Sequence, residues 1–229
     1  MSSEAEAASY RDGIRAVLAI AATVSFFGAS FGLLARSSGL GILAPLVMSA
    51  TTFAGSAQFA VVSILGTSGG AAAAVAAAVL LNARYVPISI SVASLFHGPR
   101  LRRLAEAQLI VDESWAISSR GGGRFDRRLL VGAGLVLYVA WVGGTAVGVA
   151  GGEALGDPRD LGLDGAFPAL FLALLVPQLA GARERAAALL GGAIALALTP
   201  FTPAGTPIVA AAVACLLGLS RSGRPKRDS

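Results

Sequence analysis

Polar side chains inside the apolar part of the chain are the residues best placed to do chemistry. Gln58 lies in one long uncharged stretch, and Gln178 lies in another. An amide group in hydrocarbon needs hydrogen-bond partners, so each glutamine should face the protein interior. There it either joins helices, helped by small residues such as Gly55, or lines a path for a solute. The sequence fits both possibilities.

Arg84 is the only charged residue between Ser37 and Phe96. At the centre of a spanning helix an arginine costs about 2.5 to 3.5 kcal/mol, so a deep position would imply a function or a partner. A deep Arg84 would suit a substrate carboxylate, because its guanidinium donates two parallel hydrogen bonds. Alternatively, residues 82–84 form a loop near lipid headgroups, and the arginine reaches water. The residues predicted to line a substrate pathway are Phe53, Gly55, Gln58, Asn82, Arg84 and Gln178.

Asp112 and Glu113 form a pair of carboxylates shortly after a basic patch, Arg100, Arg102 and Arg103. Ion pairs between the two groups would latch a gate on the cytoplasmic side. A solvated loop face is the other interpretation of the same pattern.

The sequence has few of the residues that enzymatic chemistry needs. The chain has one histidine, His97, and one cysteine, Cys215, which cannot supply a metal ligand set. A serine hydrolase would need that histidine beside a serine, but His97 precedes a Gly-Pro pair at a predicted helix end. No phosphate-binding loop pattern occurs, and the lone lysine, Lys226, lies in the tail. We therefore expect no catalysis, no metal and no cofactor.

The elements that must position these residues are membrane helices. Of 229 residues, 55% are hydrophobic and 14% are charged, and the mean hydropathy is +0.73. Soluble domains have about 25% charged residues, and a helix needs about 20 apolar residues to span a bilayer. The sequence predicts an all-α, polytopic membrane bundle of about seven segments (six to eight), forming one domain over residues 1–229. The first two segments are predicted as continuous helices at residues 14–35 and 44–65.

Charge predicts the sidedness of the loops. The arginine-rich central loop and the basic C-terminus should be cytoplasmic under the positive-inside rule, and the acidic loop at 153–164 should lie outside. If residues 71–96 cross once, the N-terminus is outside and seven segments result. If they form a hairpin, the N-terminus is inside. Seven crossings are slightly favoured.

The chain also shows signs of an internal repeat. The polar break at residues 82–87 and the proline-rich break at 199–207 correspond at an offset that places Pro87 on Pro207. The repeat halves are 11–97 and 129–220, joined by the basic loop 98–128. Broken helices in corresponding positions are typical of secondary transporters. Two glycine pairs also correspond and predict close packing within the molecule: Gly28 with Gly32, and Gly144 with Gly148.

Four motifs stand in the order and spacing of AzlC-like (YgaZ-like) proteins. They are FAGSAQF at 53–59, NARY at 82–85, DES at 112–114 and GLDGAFPA at 162–169. The chain resembles that family over nearly its whole length. It departs from the family at Tyr85, where a histidine is usual, and at Val111, where a threonine is usual. The resemblance therefore carries no proton-carrying histidine over to this chain.

The resemblance implies a transport function. It indicates the large subunit of a two-component exporter of branched-chain amino acids such as valine. The partner would be a small AzlD-like (YgaH-like) subunit, and the location a cytoplasmic (inner) membrane with the C-terminus cytoplasmic. The absence of a nucleotide motif favours ion-coupled alternating access. Two alternatives stay open: a permease subunit that depends on an ATPase on another chain, and a non-transporting membrane scaffold.

Overall fold

The computed structural model describes residues 9–66, 70–152, 172, 175–176, 179, 181–202 and 206–215. This part is helical, without a β-strand, so the all-α prediction is confirmed. Short 3₁₀ turns lie at Ala93–Leu95 and at Ala212–Cys215. The α-helices are α1 (Tyr10–Ser37), α2 (Leu43–Thr51), α3 (Gly55–Gly66), α4 (Ala71–Asn82), α5 (Tyr85–Val92), α6 (Arg100–Ala107), α7 (Asp112–Ser118), α8 (Arg127–Gly151), α9 (Ala182–Leu198) and α10 (Thr206–Ala211).

Within the described residues, two helices, α1 and α8, are long and apolar enough to cross a membrane. A third span arises if the bent pair α4–α5 counts as one. The predicted count of about seven is not confirmed. The acidic loop at 153–164, Gln178, the GLDGAFPA motif and the basic C-terminus lie outside the described residues.

Helices α1 and α8 pack against each other through glycines. A Cβ atom on Gly28 would collide with the carbonyl of Trp141, and one on Gly148 would collide with the carbonyl of Ala29. Gly32 and Gly144 are equally crowded by backbone of the opposite helix. The predicted packing of the glycine pairs within the molecule is therefore confirmed, since only glycine permits this backbone approach.

The two helices run in the same direction. Gly13 lies against Leu129 near the beginning of both helices, and Gly32, five residues before the end of α1, lies against Thr145. The beginning of α1 and the basic loop that ends at Arg127 are thus on one side of the pair. The arrangement with the N-terminus on the side opposite to this loop is wrong. The reason lies in the next segment of the chain.

The single helix predicted at residues 44–65 is two helices, α2 and α3, joined at a sharp turn. Phe53 there has a left-handed φ of 44°, which ends the helix. Helix α2 starts near the end of α1 and descends until the Ala50 carbonyl meets the Tyr138 hydroxyl, 2.9 Å away. Helix α3 then returns to the end of α1, where Gly66 lies against Ser38. The α2–α3 hairpin therefore enters and leaves on one side and does not cross.

The segment at residues 71–96 runs along the α1–α8 pair as two helices, α4 and α5, with an interruption at residues 83–84. Helix α4 descends antiparallel to α3, so that Arg84, directly after α4, reaches Ser56 at the start of α3. Helix α5 continues after a bend of 41°. Val92, the last residue of α5, packs in one hydrophobic cluster with Leu130, near the beginning of α8. This geometry favours the interrupted crossing over the hairpin.

Helices α6 and α7 form a second hairpin that approaches from the other side. Glu106 on α6 bonds to Arg127 at the beginning of α8. The turn that follows passes close to Gly134, further along α8. At this turn the Gln108 side chain reaches the last carbonyls of α2. The tips of the α2–α3 and α6–α7 hairpins thus meet inside the molecule.

The described residues include both sides of the proline-rich break after α9. Helix α9 ends at Leu198 and α10 begins at Thr206, while residues 203–205 lie outside the described part. The repeat halves themselves remain a prediction.

Candidate functional site

A cavity of about 770 Å³ lies where the two hairpin tips meet the bend between α4 and α5. Val24 on α1 and Leu137 on α8 both line it, and each lies near the middle of its long helix. The cavity is therefore at mid-height of the two spanning helices. Its apolar walls include Val24, Phe27, Phe53, Phe59, Leu137 and Trp141, and its polar groups include Ser56, Arg84, Tyr85, Asp112 and Glu113.

The break at Phe53 is held open by hydrogen bonds from outside the hairpin. Gln108 Nε2 donates to the carbonyl of Thr51 at 2.9 Å and to that of Ala50 at 3.3 Å. The Tyr138 hydroxyl donates to the Ala50 carbonyl as well. Irregular backbone at membrane depth is stable only where such partners satisfy it. Two side chains that are distant in sequence, Gln108 and Tyr138, thus stabilise the turn through three hydrogen bonds, and no local sequence signal indicated them.

Gln58 lies behind the cavity wall in a closed hydrogen-bond network. Its Oε1 accepts from the backbone N–H of Ala54 at 3.2 Å and from Trp141 Nε1 at 3.1 Å. Its Nε2 donates to Ser49 Oγ at 3.0 Å, and that hydroxyl pairs with Thr145 Oγ1 at 2.8 Å. The side chains of Ser49, Gln58 and Thr145 have no exposed surface. The geometry makes Gln58 a residue that joins α2, α3 and α8.

Gly55 fixes the position of the tryptophan that forms part of the wall. A Cβ atom at this glycine would lie 2.9 Å from Trp141 Cη2. The indole ring is stacked on Phe31 and meets Phe59 edge-on. The absence of a side chain at Gly55 lets the ring lie against the start of α3. Phe53 and Gly55 of the predicted pathway both line the cavity.

Arg84 projects into the cavity with three partners. Its Nη2 lies 3.0 Å from Asp112 Oδ2 and 3.2 Å from Ser56 Oγ. Its guanidinium carbon lies 5.2 Å from the centre of the Tyr85 ring, a cation–π contact. Arg84 therefore lies level with the middle of α1 and α8, as the cavity does. Its side chain keeps 44% of its surface exposed, so a solute can reach it.

Asp112 and Glu113 begin helix α7 and both face the cavity. Ser114 supports this turn, since its hydroxyl accepts from the Val111 N–H at 3.0 Å and donates to the Leu109 carbonyl at 2.8 Å. Glu113 follows Asp112 at the start of α7 and lines the same cavity. The predicted ion pairing involves Asp112 and Arg84, not the basic patch on α6.

The ion-pair latch near the loop is made by Glu106, which the sequence analysis missed. Arg127 on α8 binds its carboxylate through two nitrogens, and Arg102 binds it at 2.9 Å. Arg127 also donates to the Tyr10 hydroxyl of α1. These bonds, Arg127 first, lower the pKa of Glu106. The spacing of Arg102 and Glu106, four residues apart on a helix, was the available signal.

Two predicted pathway residues are not on the described walls. The walls formed by described residues include neither Gln58 nor Asn82, although Arg84 is two positions from the latter. In the described part of the chain, Asn82 Oδ1 is buried and has no hydrogen-bond partner. Gln178 lies outside the described residues. Sequence reasoning also missed Ser56, Tyr85, Gln108 and Trp141 as site residues.

A helical chain with two long apolar spans, a pair of opposed hairpins and a central charged cavity has the features of a membrane transport protein. Comparison with known protein families identifies the family of this chain. The AzlC protein family matches residues 19–155, and the chain belongs to this family. The family is associated with branched-chain amino acid transport and is not an enzyme family.

Two curated relatives are similar over most of their lengths. An uncharacterized membrane protein of Archaeoglobus fulgidus is 34% identical over 194 residues, which cover 81% of this chain and 82% of that protein. The branched-chain amino acid transport protein AzlC of Bacillus subtilis is 26% identical over 193 residues, which cover 83% of this chain and 76% of that protein. No solved structure matches the chain.

Proposed function

We propose that this protein is the membrane subunit that carries branched-chain or similar hydrophobic amino acids through the central cavity. The observation that carries the proposal is the Arg84–Asp112 ion pair, which faces a cavity of about 770 Å³ with apolar walls. Sites for small molecules are of this size and combine apolar walls with a few polar groups. The relative in Bacillus subtilis, named as a branched-chain amino acid transport protein, supports this substrate class.

The ion pair matches the two charges of an amino acid. A substrate carboxylate would take the place of Asp112 on the Arg84 guanidinium, where two parallel hydrogen bonds can form. The substrate ammonium would then pair with the Asp112 carboxylate. The single protein ion pair is exchanged for two pairs with the substrate, so neither side chain is left unpaired in the cavity.

The apolar walls suit an aliphatic side chain. Val24, Phe27 and Leu137 lie on the two long helices and face the cavity. A valine or leucine side chain transferred from water to these walls gains roughly 1.5 to 3 kcal/mol. This gain is absent for glycine and opposed by desolvation for polar amino acids, which favours hydrophobic substrates.

The two hairpins provide gates for alternating access. The α2–α3 hairpin lies between the cavity and one end of the α1–α8 pair, and the α6–α7 hairpin lies between the cavity and the other end. The Gln108 side chain joins the two hairpin tips. Ion-coupled rocking of the hairpins against the α1–α8 pair would expose the cavity to one side at a time. We further propose export as the direction, a small AzlD-like partner subunit, and a cytoplasmic membrane location with the C-terminus inside.

Efflux from cells tests the proposal. Cells that lack their own exporter are loaded with a valine-containing dipeptide, and the chain is expressed together with its small partner subunit. Faster valine release is expected, and unchanged release with both proteins inserted contradicts the proposed function. Arg84→Lys should weaken transport without loss of insertion, because lysine cannot donate two parallel bonds. Arg124→Ala, in an exposed loop, is the matched control and should leave release unchanged.

A further inference from the structure

Helix α6 lies at the level where the α1–α8 pair begins. Near its end, Glu106 binds Arg127, which is the first residue of α8. The chain that leads into α6 passes Phe96, which packs in one hydrophobic cluster with Leu130 in the first turn of α8. The apolar stretch of α8 starts directly after Arg128. Because a spanning helix passes from headgroups into hydrocarbon at such a change, α6 lies at the edge of the bilayer.

The sequence of α6, RLRRLAEA, gives the helix two different faces. With about 3.6 residues per turn, Leu101 and Leu104 lie on the side opposite Glu106. Glu106 is only 8% exposed, whereas Leu101 and Leu104 keep 80% and 68% of their surfaces exposed. The helix is therefore attached to the rest of the molecule on its carboxylate side, and its leucines point away from it. At the bilayer edge, leucines in this position are favoured against hydrocarbon over water.

Arginines flank the leucine face of α6 on both sides. Arg100 and Arg103 lie on one side of this face, and Arg102 lies on the other. Arg102 and Arg127 share the carboxylate of Glu106. Arg100 and Arg103 are exposed, and neither makes an ion pair within the described part of the chain. Four guanidinium groups thus surround one carboxylate, and this surface carries an excess of positive charge.

A ligand that matches this surface has a negatively charged head and an apolar tail. Guanidinium groups bind phosphate through parallel hydrogen bonds, so a free phosphate would satisfy the arginines alone. The exposed leucines between the arginines require an apolar group as well. Amphipathic helices with this arrangement lie in the membrane interface and bind more strongly to anionic lipids. A second copy of the chain on the same surface would bring like charges together and therefore fits less well.

We propose that α6 is a binding surface for anionic phospholipid. Arg100 and Arg103 bind the phosphate of the headgroup, and Leu101 and Leu104 lie against the upper part of the acyl chains. The bound lipid holds the beginning of the α6–α7 hairpin at the bilayer edge, while the tip of this hairpin lies at the central cavity. The inference does not depend on the proposed transport function, since it concerns a surface outside the cavity.

Quenching of a fluorescent label on α6 by lipid tests the proposal. The full chain carries Leu104→Cys as its only cysteine, in a Cys215→Ser background, and this cysteine is labelled with bimane. Phosphatidylcholine vesicles contain increasing amounts of brominated phosphatidylglycerol, which quenches the label on contact. The mole fraction that gives half-maximal quenching should rise about fivefold in Arg103→Gln. Arg100→Gln/Arg103→Gln should no longer prefer brominated phosphatidylglycerol to brominated phosphatidylcholine.

Two further variants separate a specific surface from a general effect of charge. Arg15→Gln/Arg124→Gln removes two exposed arginines, one near the beginning of α1 and one in the loop before α8. It should leave the half-quenching fraction unchanged. Arg100→Lys/Arg103→Lys retains both charges and should keep most of the preference. High salt should weaken the preference of the chain with both arginines, because it screens exposed charges.

The opposite results overturn the proposal. Equal quenching by the two brominated lipids, with both arginines present, would show that α6 meets the bilayer without recognising the headgroup. No quenching by either lipid would show that water or protein covers the leucines, and a disulfide between two unlabelled Leu104→Cys chains would identify a second copy. Displacement of brominated phosphatidylglycerol by inorganic phosphate would show that the arginines bind a free anion. An equally large effect of Arg15→Gln/Arg124→Gln would show that net charge alone attracts the lipid.

Discussion

The two hairpins that meet at the cavity are built from opposite kinds of interaction. The α2–α3 hairpin is joined to α8 by neutral, fully buried groups, among them Gln58 and Thr145. The α6–α7 hairpin is joined to α8 by the charged pair of Glu106 and Arg127, and it presents Asp112 to the cavity. Buried neutral networks respond little to pH or salt, whereas ion pairs respond to both. The α2–α3 hairpin is therefore expected to be rigid, whereas the stability of the α6–α7 hairpin should depend on pH and salt.

The largest loss of stability is expected for Gln58→Leu in the α2–α3 hairpin. The substitution leaves the Trp141 indole N–H and the Ala54 N–H without their acceptor in a buried place. Each unsatisfied buried group costs about 1 to 3 kcal/mol, so a loss of about 3 kcal/mol is expected. Thermal unfolding of the protein in detergent should show a Tm lower by about 6 to 12 °C.

Ser30→Ala serves as the control for this prediction. Its hydroxyl bonds back to the Phe26 carbonyl on the same helix, so little should change. A Tm of Gln58→Leu equal to that of this control would show that the buried network does not hold the hairpin.

The charged hairpin is tested by Glu106→Gln. The pKa of Glu106 is below its ordinary value of 4.5 because of Arg127, so pairing stabilises the fold above that pH. This contribution is lost as the pH falls through the lowered pKa. At neutral pH the variant should lose about 2 kcal/mol, the value of hydrogen bonds between charged groups. Its Tm should be lower by about 4 to 8 °C.

The pH profile separates this loss from a general loss of packing. Wild-type stability should decline as the pH drops below about 4.5, and the difference from the variant should shrink there. A constant difference across the acid range would mean that the ion pair is not responsible. The stability difference between wild type and Gln58→Leu should not shrink at acid pH. This is the sharpest expected contrast between the two hairpins.

The sequence predicted the parts of this architecture that local chemistry determines. Apolar length indicated α1 and α8, and the isolated charge at Arg84 indicated a site. The turn at Phe53 was missed, because its stabilising partners, Gln108 and Tyr138, are more than 50 residues away along the chain. Glycine spacing predicted close packing but not direction, since a pair of helices can pack through glycines in either orientation. The missed direction and turn together explain the wrong sidedness of the N-terminus.

The smallest effect is expected where the two hairpins touch, at Gln108→Ala. The variant loses two hydrogen bonds to α2, but the Tyr138 hydroxyl still serves Ala50, so the cost is about 1 kcal/mol. If the contact is a gate, this loss shifts its opening equilibrium by roughly fivefold. Ser56, which lines the cavity, can report the opening once it is a lone cysteine in a Cys215→Ser background.

In inside-out vesicles, a membrane-impermeant maleimide should label Ser56→Cys faster when Gln108→Ala is also present. The Tm of that double variant should change little, because the α2–α3 hairpin keeps its neutral bonds to α8. Arg124→Ala, in an exposed loop, should leave the labelling rate unchanged. If Ser56→Cys is labelled at the same rate with and without the Gln108→Ala substitution, the two hairpin tips are fixed relative to each other. The gate would then lie elsewhere, and the two hairpins would differ in chemistry but not in mobility.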